Sequence, residues 1–337
     1  KADLNGVKFF AFEEEILKKN EKEIEDIYNF LNSNRKITNK KSVDHEIHYE
    51  NRANEEYKDM LFSIAKRPYK NWKVVVDPGD GAQSDTMPFI LSELGVNVIE
   101  INATIQGEFY ARDTEHLPDM QMLIDRVKIE KADFGIGYDA DGDRVVFVDE
   151  KANFIPGDYS SCTIAKNLKS DTLVTPISTS QVVDHLGKKV YRTKVGAPYV
   201  IEKMKSVNAD LGFEPNGGCI FPKIMMTRDG GSTTIQLLNI LNEKGKTLSE
   251  LISELPKFYS YKDKLDYKWE MKDDILKRAK SEFKNSKIDG TDGIKIWVDE
   301  TTWILFRSSL NAPEFRVFAE SESETKAKNL LQKGMTI

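Results

Sequence analysis

The sequence predicts a multi-domain α/β protein, with two α/β units in succession and an α+β unit at the C-terminus. Three observations carry this. From 72 to 258, short β-rich runs alternate with helical segments, and the alternation restarts near 166. From 259 the order changes to a strand and a helix, then three strands and a terminal helix. The 337 residues are also too many for one ordinary core.

Residues 12–34 are rich in Glu and Lys and carry Ile16, Leu17, Ile24, Ile27, Tyr28 and Leu31 at helical spacing. Residues 35–48 are polar and lysine-rich, as in a linker or loop, and a helix is expected around 50–65. The first α/β unit reads as a strand over 72–77, a tight turn at 78–82, a helix over 88–94, a strand over 96–101, a helix over 117–129 and a strand over 133–138. The second reads as a strand over 173–177, a helix over 181–186, a strand over 189–192, a helix over 199–205 and a strand over 209–213. Helices over 231–243 and 248–255 close it. The last unit reads as a strand over 265–269, a helix over 272–285, strands near 293–298, 302–307 and 315–320, and a terminal helix. Alternating strands and helices imply a mainly parallel sheet, with ligands beyond the carboxyl ends of its strands.

Composition narrows the function. The chain is 39% apolar and 31% charged, the balance of a soluble globular protein. A net charge of −6 favours neither nucleic acid nor an anionic membrane as partner. No apolar run reaches spanning length and no signal peptide opens the chain. Cys162 and Cys219 lie far apart, and a reducing cytoplasm is the simplest setting. His45, His48, His116 and His185 show no zinc spacing. The chain opens without Met and runs at once into a loop and strand, so it reads as the C-terminal part of something longer.

The most informative stretch is Tyr-Asp-Ala-Asp-Gly-Asp-Arg (138–144), between two apolar, β-rich flanks. Asp139, Asp141 and Asp143 are hard oxygen ligands on one short loop and suit Mg²⁺. Arg144 could not ligate the metal but could grip a phosphate oxygen held by it. An EF-hand fits less well, because Arg144 stands where that loop needs Gly and the flanks are strands. A plain acidic turn would leave three alternating aspartates repelling one another without a cation.

Other stretches add donors. In Gly-Phe-Glu-Pro-Asn-Gly-Gly (212–218), Glu214 and Asn216 would point the same way from an extended loop and suit vicinal sugar hydroxyls. A hairpin turn is the plain alternative there. Arg228-Asp229-Gly230-Gly231 opens a helix, with Asp229 as its cap. Lys194 lies between a short strand and a helix and could contact phosphate or move a proton; a solvated lysine is its plain reading. Arg307, Ser309, Asn311 and Arg316 supply donors from one strand connection, enough to enclose a phosphate, or form a hairpin with two exposed arginines.

In order along the chain, Asp139–Arg144, Glu214–Gly217 and Arg307–Pro313 resemble the metal, sugar and phosphate loops of the α-D-phosphohexomutases, the phosphomannomutase/phosphoglucomutase and phosphoglucosamine mutase family. Glu-x-Asn-Gly-Gly followed by Arg-Asp-Gly is similar to the archaeal branch. Asn5–Lys8 resembles the segment just after the family's catalytic serine loop, and Gly157-Asp158 and the Lys194-Val-Gly turn also match. The resemblance implies three related α/β mixed-sheet domains, the first truncated here, plus a C-terminal α+β domain. It divides the chain into a remnant of the first domain with a linker (1–48), a metal-binding domain (49–165), a sugar-binding domain (166–258) and a phosphate-binding domain (259–337).

It also implies a Mg²⁺-dependent exchange of hexose 1-phosphate and hexose 6-phosphate, of glucose or mannose, through a phosphoserine and a hexose 1,6-bisphosphate. Phosphoglucosamine is the alternative substrate. In that scheme Asp139, Asp141 and Asp143 hold Mg²⁺, and Arg144 and Lys194 serve the chemistry. Glu214, Asn216 and Gly217 hold the sugar, and Arg307, Ser309, Asn311 and Arg316 hold the phosphate. No nucleic acid or membrane partner is implied, and a homodimer stays open. The nucleophilic serine is expected ahead of Lys1; Ser84, Ser160, Ser161, Ser178 and Ser180 lack its context. Leu310, Asn311 and Ala312 stand where the family has Gly-Thr-Glu, which predicts a changed phosphate grip. Two other classes stay in play: a sugar-phosphate-binding relative without chemistry, and a haloacid-dehalogenase-type phosphatase with Asp139 as nucleophile.

Overall fold

The computed structural model describes residues 9–11, 14–34, 52–107, 109, 112–169, 171–266, 271–284, 286–309 and 314–337. The linker expected at 35–48 lies outside them. β1 (Phe10–Ala11) pairs antiparallel with β2 (Glu14–Glu15), and α1 (Lys18–Asn34) follows. The helix expected from 12 thus begins at 18, because Ile16 N donates to Phe9 O (3.0 Å) and closes a hairpin first. α2 (Arg52–Ile64) then buries Leu61 in the core.

The first sheet is built from β3 (Lys73–Asp77), α3 (Met87–Glu93), β4 (Asn97–Glu100), a 3-10 turn at Leu117–Met120 running into α4 (Gln121–Glu130), then β5 (Phe134–Tyr138), β6 (Val145–Asp149) and β7 (Phe154–Ile155). Its order is β4-β3-β5-β6-β7. The first three are parallel, and β6 and β7 each run antiparallel to the strand before. The sheet is therefore mixed, as the family resemblance implies, rather than mainly parallel as the strand–helix alternation alone suggests. The loop over 139–144 is too short for a crossover, which needs about a dozen residues, so β5 and β6 form a hairpin. Side chains alternate across it: Val74 and Val76 face the main core, while Val75 meets Leu123 and Val127 of α4.

α5 (Gly157–Asn167), a helix the sequence reading lacks, leads to the second sheet. That sheet is built from β8 (Thr172–Pro176), β9 (Lys189–Thr193), α6 (Ala197–Val207), β10 (Leu211–Phe213), β11 (Cys219–Phe221), β12 (Met225–Asp229), α7 (Gly230–Lys244) and α8 (Leu248–Ser253). The helix expected at 181–186 is a 3-10 turn, Gln181–His185. The order β9-β8-β10-β11-β12 repeats the plan of the first sheet strand for strand, down to the parallel and antiparallel pairings. Both sheets contribute to one continuous apolar core, with Phe134, Ile136 and Phe147 from the first and Leu173, Leu211 and Phe213 from the second.

The third sheet is all antiparallel. It is built from β13 (Tyr259–Asp266), α9 (Lys272–Glu282), β14 (Lys287–Asp289), β15 (Ile294–Trp297), β16 (Trp303–Ser308), β17 (Glu314–Ser321) and α10 (Glu324–Met335). Its first strand starts at 259, earlier than the expected 265, because it pairs along its whole length with β17. One face carries α9 and α10 over Ile294, Ile304, Phe306 and Val317. The other lays Trp303 and Leu305 on Ile177, just past the end of β8. No helix among the described residues is long and apolar enough to cross a membrane.

Candidate active site

The hairpin from β5 to β6 holds the acidic loop beyond a parallel strand end. One oxygen from each of Asp139, Asp141 and Asp143 lies within 4.8 Å of the others, and this is the only such cluster among the described residues. Asp139 is buried, Asp143 half-buried and Asp141 exposed. Burial pushes the Asp139 carboxyl up to about 7; Asp143 adds to this, Arg144 opposes it and Asp141 adds again. Carboxylates packed this closely raise one another's pKa and favour a cation among them, so the residues fit a small divalent ion. Arg144 lies at the rim. Its Nε is 3.4 Å from Asp139 Oδ2 and 3.9 Å from Asp143 Oδ1, with a third of the side chain in solvent.

The loop is held from behind. Ala82 N donates to Ala140 O (2.8 Å), and Gln83 Nε2 and Gly230 N both donate to Gly142 O (3.3 Å). Arg112, unremarked in the sequence, ties two strand ends: Nε donates to Tyr138 O and Nη2 to Asp77 O, both at 2.6 Å, and Nη1 pairs with Asp77 Oδ2 at 2.8 Å.

The second sheet places Glu214–Gly218 in the equivalent hairpin, from β10 to β11. Glu214 and Asn216 do converge: Arg228 Nη1 donates to Glu214 Oε2 (2.5 Å) and Asn216 Oδ1 (3.1 Å). Arg228 Nη2 donates to Asp143 Oδ2 (2.7 Å) in the metal loop. Burial works against the Arg228 charge, but Glu214 and Asp143 outweigh it and hold the guanidinium above its usual value. Its Nε is buried and meets no acceptor among the described residues. Arg228 is the penultimate residue of β12 rather than the start of a helix; α7 starts at Gly230, capped by Asp229, whose Oδ2 accepts from Ser232 N (2.6 Å).

Two glycines let the loops touch. Gly217 (φ +91°) packs on the Val145 carbonyl, and Gly218 (φ +79°) on the Asp143 carbonyl and the Arg228 stem. A Cβ at either would overlap those atoms in a backbone conformation that favours Gly.

The Lys194 side chain is exposed, its Nζ 5.9 Å from the Tyr199 ring. The hollow it lines holds no residue of either loop. Its turn reaches the site through the backbone instead: Gly196 N donates to Glu214 Oε1 (3.0 Å) and Val195 N to Asp292 Oδ2 (3.1 Å). Asp292 Oδ2 also accepts from the Nε of the buried Arg307 (3.0 Å). Arg307 and Arg316 sit opposite each other in the β16–β17 ladder, and Arg316 is exposed beside Glu314 (3.6 Å). Ser309 is buried, its N donating to Glu314 O (2.8 Å). Asn311 lies outside the described residues. Sequence reasoning missed Arg228 as a site residue, although it noted the stretch; for Asp292 no local signal exists.

Two family models match the chain. That described as phosphoglucomutase/phosphomannomutase, alpha/beta/alpha domain II, matches 54–153, and domain III matches 156–259. A phosphoglucomutase/phosphomannomutase of Thermococcus kodakarensis is 40% identical over 282 residues, covering 81% of this chain and 61% of that protein. A phosphoglucosamine/phosphogalactosamine mutase of Sulfurisphaera tokodaii is 32% identical over 348 residues, covering 98% of this chain and 76% of that protein. Among solved structures, a phosphoglucomutase/phosphomannomutase family protein of Burkholderia thailandensis superposes with a TM-score of 0.72 at 23% identity, over 84% of this chain and 63% of that one.

Proposed function

The chain belongs to the phosphoglucomutase/phosphomannomutase family, and on that premise we propose that the protein interconverts hexose 1-phosphate and hexose 6-phosphate, of glucose or mannose, in a Mg²⁺-dependent reaction. In this reading a phosphoserine gives its phosphoryl group to the sugar. The bisphosphate reorients and returns the other phosphate. The observation that carries this reading is the convergence of Asp139, Asp141 and Asp143 beside Arg144, with Glu214 and Asn216 joined to them through Arg228. Mg²⁺ on the three aspartates would offset charge on the transferring phosphoryl group. Arg144, partly in solvent, grips that group's oxygens. Glu214 and Asn216 accept from sugar hydroxyls that look alike in both orientations. Arg307, aimed by Asp292, anchors the phosphate that is not reacting, and this reading assigns Ser309, Asn311 and Arg316 to the same phosphate. Lys194 moves protons only if its exposed side chain swings in from Tyr199. The setting we infer is a reducing cytoplasm, consistent with the free, buried thiols of Cys162 and Cys219.

A second reading is phosphoglucosamine mutase, favoured by the name of the Sulfurisphaera relative. ³¹P NMR tests both. With Mg²⁺ and a trace of glucose 1,6-bisphosphate, glucose 1-phosphate should give a 6-phosphate signal. Conversion of glucosamine 1-phosphate alone would select the second reading. No conversion of any hexose phosphate would leave either a mutase without its serine loop or a binding protein without chemistry.

A further inference from the structure

We propose that Arg228 is a positioning residue that joins the metal loop to the sugar loop, so that binding at one depends on binding at the other; this rests on the reading of those loops given above. Arg228 belongs to neither loop. It lies one residue before the end of β12, at the edge of the second sheet, and its side chain is almost wholly buried. One arm of its guanidinium holds Asp143 Oδ2 at 2.7 Å, and the other holds Glu214 Oε2 at 2.5 Å and Asn216 Oδ1 at 3.1 Å. A guanidinium is a rigid planar fork, so neither arm can move without the other. The stem has little slack, since a Cβ on Gly218 would stand 2.7 Å from its Cγ and 3.0 Å from its Cδ.

The far side of the sugar loop is just as closely tied. Glu214 Oε1 accepts from Gly196 N, the adjacent Val195 N donates to Asp292, and Asp292 accepts from Arg307. Hydrogen bonds, joined across the Val195–Gly196 peptide link, therefore connect Asp143 to Arg307 through all three sheets. A cation that takes up Asp143 draws charge away from one arm of the fork. The guanidinium then settles on Glu214 and Asn216, the groups that would meet the sugar. By linkage the reverse holds, and the two affinities change by the same factor. A lysine at 228 would keep the charge but offer one point instead of two arms.

The test compares the wild type with Arg228→Lys. Mg²⁺ is titrated by calorimetry with and without saturating glucose 1-phosphate. In the wild type the sugar phosphate should shift the Mg²⁺ Kd about 5-fold or more. In Arg228→Lys both ligands should still bind, with the shift down to about 2-fold or less. A purely structural role would lower Tm or weaken each affinity and leave that ratio intact. A wild type that binds both ligands independently, or a shift that survives in Arg228→Lys, overturns the proposal.

A second arm needs no ligand. Glu214→Gln should speed amide hydrogen exchange at 140–144 in the wild-type background and add nothing on top of Arg228→Lys. Equal exchange in all four proteins overturns the proposal. If the wild type binds neither Mg²⁺ nor sugar phosphate, the proposed function fails, and the exchange arm still decides the role of Arg228.

Discussion

The metal loop and the sugar loop occupy the same place in two copies of one plan. Each is the hairpin between the third and fourth strands of a five-stranded mixed sheet. Yet they are stabilised in opposite ways. The metal loop sets three crowded aspartates against one arginine of its own, Arg144, and burial with like charge pushes Asp139 up to about 7. The sugar loop has a single carboxylate, and both oxygens of Glu214 already have protein partners, Gly196 N and Arg228. The first loop gathers more negative charge than its own arginine offsets. The second is completed by residues distant in sequence and owes its shape to them.

The comparison breaks first on substitutions that remove one charge from each loop. Asp141→Asn should cut mutase turnover about 10³-fold, the scale for losing a group that stabilises developing charge. Because Asp141 is exposed, the same change should move stability by no more than about 0.5 kcal/mol. Glu214→Gln should do the reverse in unfolding experiments and cost about 1.5–3 kcal/mol, since it weakens a buried charge-assisted bond to Arg228. If Asp141→Asn unfolds the protein, or Glu214→Gln leaves its stability untouched, the contrast between the loops is wrong.

Next in size is Gly218→Ala. It forces a side chain into a left-handed conformation and against the Asp143 carbonyl and the Arg228 stem. A loss of about 1–3 kcal/mol is expected from the backbone alone. Gly245, also at positive φ but with open space around it, is the control, and Gly245→Ala should cost less. Equal Tm losses for the two would show that the loops do not need their close contact.

The same contrast governs what can be read from the sequence. The metal loop is legible because its signal is local: alternating aspartates and an arginine between two apolar strands. Apolar strands such as β3, β6 and β16 are legible for the same reason. α5 is not. Ser160, Ser161, Cys162 and Thr163 are all buried, so the helix has no polar stripe to set a period against an apolar one. β11 and β12 are short and follow a Pro-Asn-Gly-Gly run that reads as turn or loop. Arg228 was visible as a residue, but its partners Asp143 and Glu214 are 85 and 14 positions away, and no spacing rule joins them.

The smallest expected effect concerns the third sheet, which rests on the second sheet through Lys295. Lys295 Nζ donates to Ile177 O (3.1 Å) and lies 3.6 Å from the Trp303 ring centroid. Burial lowers its pKa to about 7; Arg192 lowers it further, while Glu320, Asp184 and Asp289 work to raise it. The unfolded chain keeps this proton up to its ordinary value of 10.5, so between about 7 and 10.5 the unfolded state binds more protons than the folded one. The Lys295 contribution to stability therefore rises with pH through that window, by at most about 1.4 kcal/mol per unit. Lys295→Met removes the titrating group and keeps an apolar stem against Trp303. Its stability relative to wild type should be greatest near pH 7 and decline steadily as the pH is raised towards 10. Chemical denaturation of both proteins across that range measures the difference, in which other titrating groups cancel. Parallel curves would mean that Lys295 keeps its proton in the folded state, held by Ile177 O and the indole ring, so that the third sheet is fastened to the second by a permanent charge.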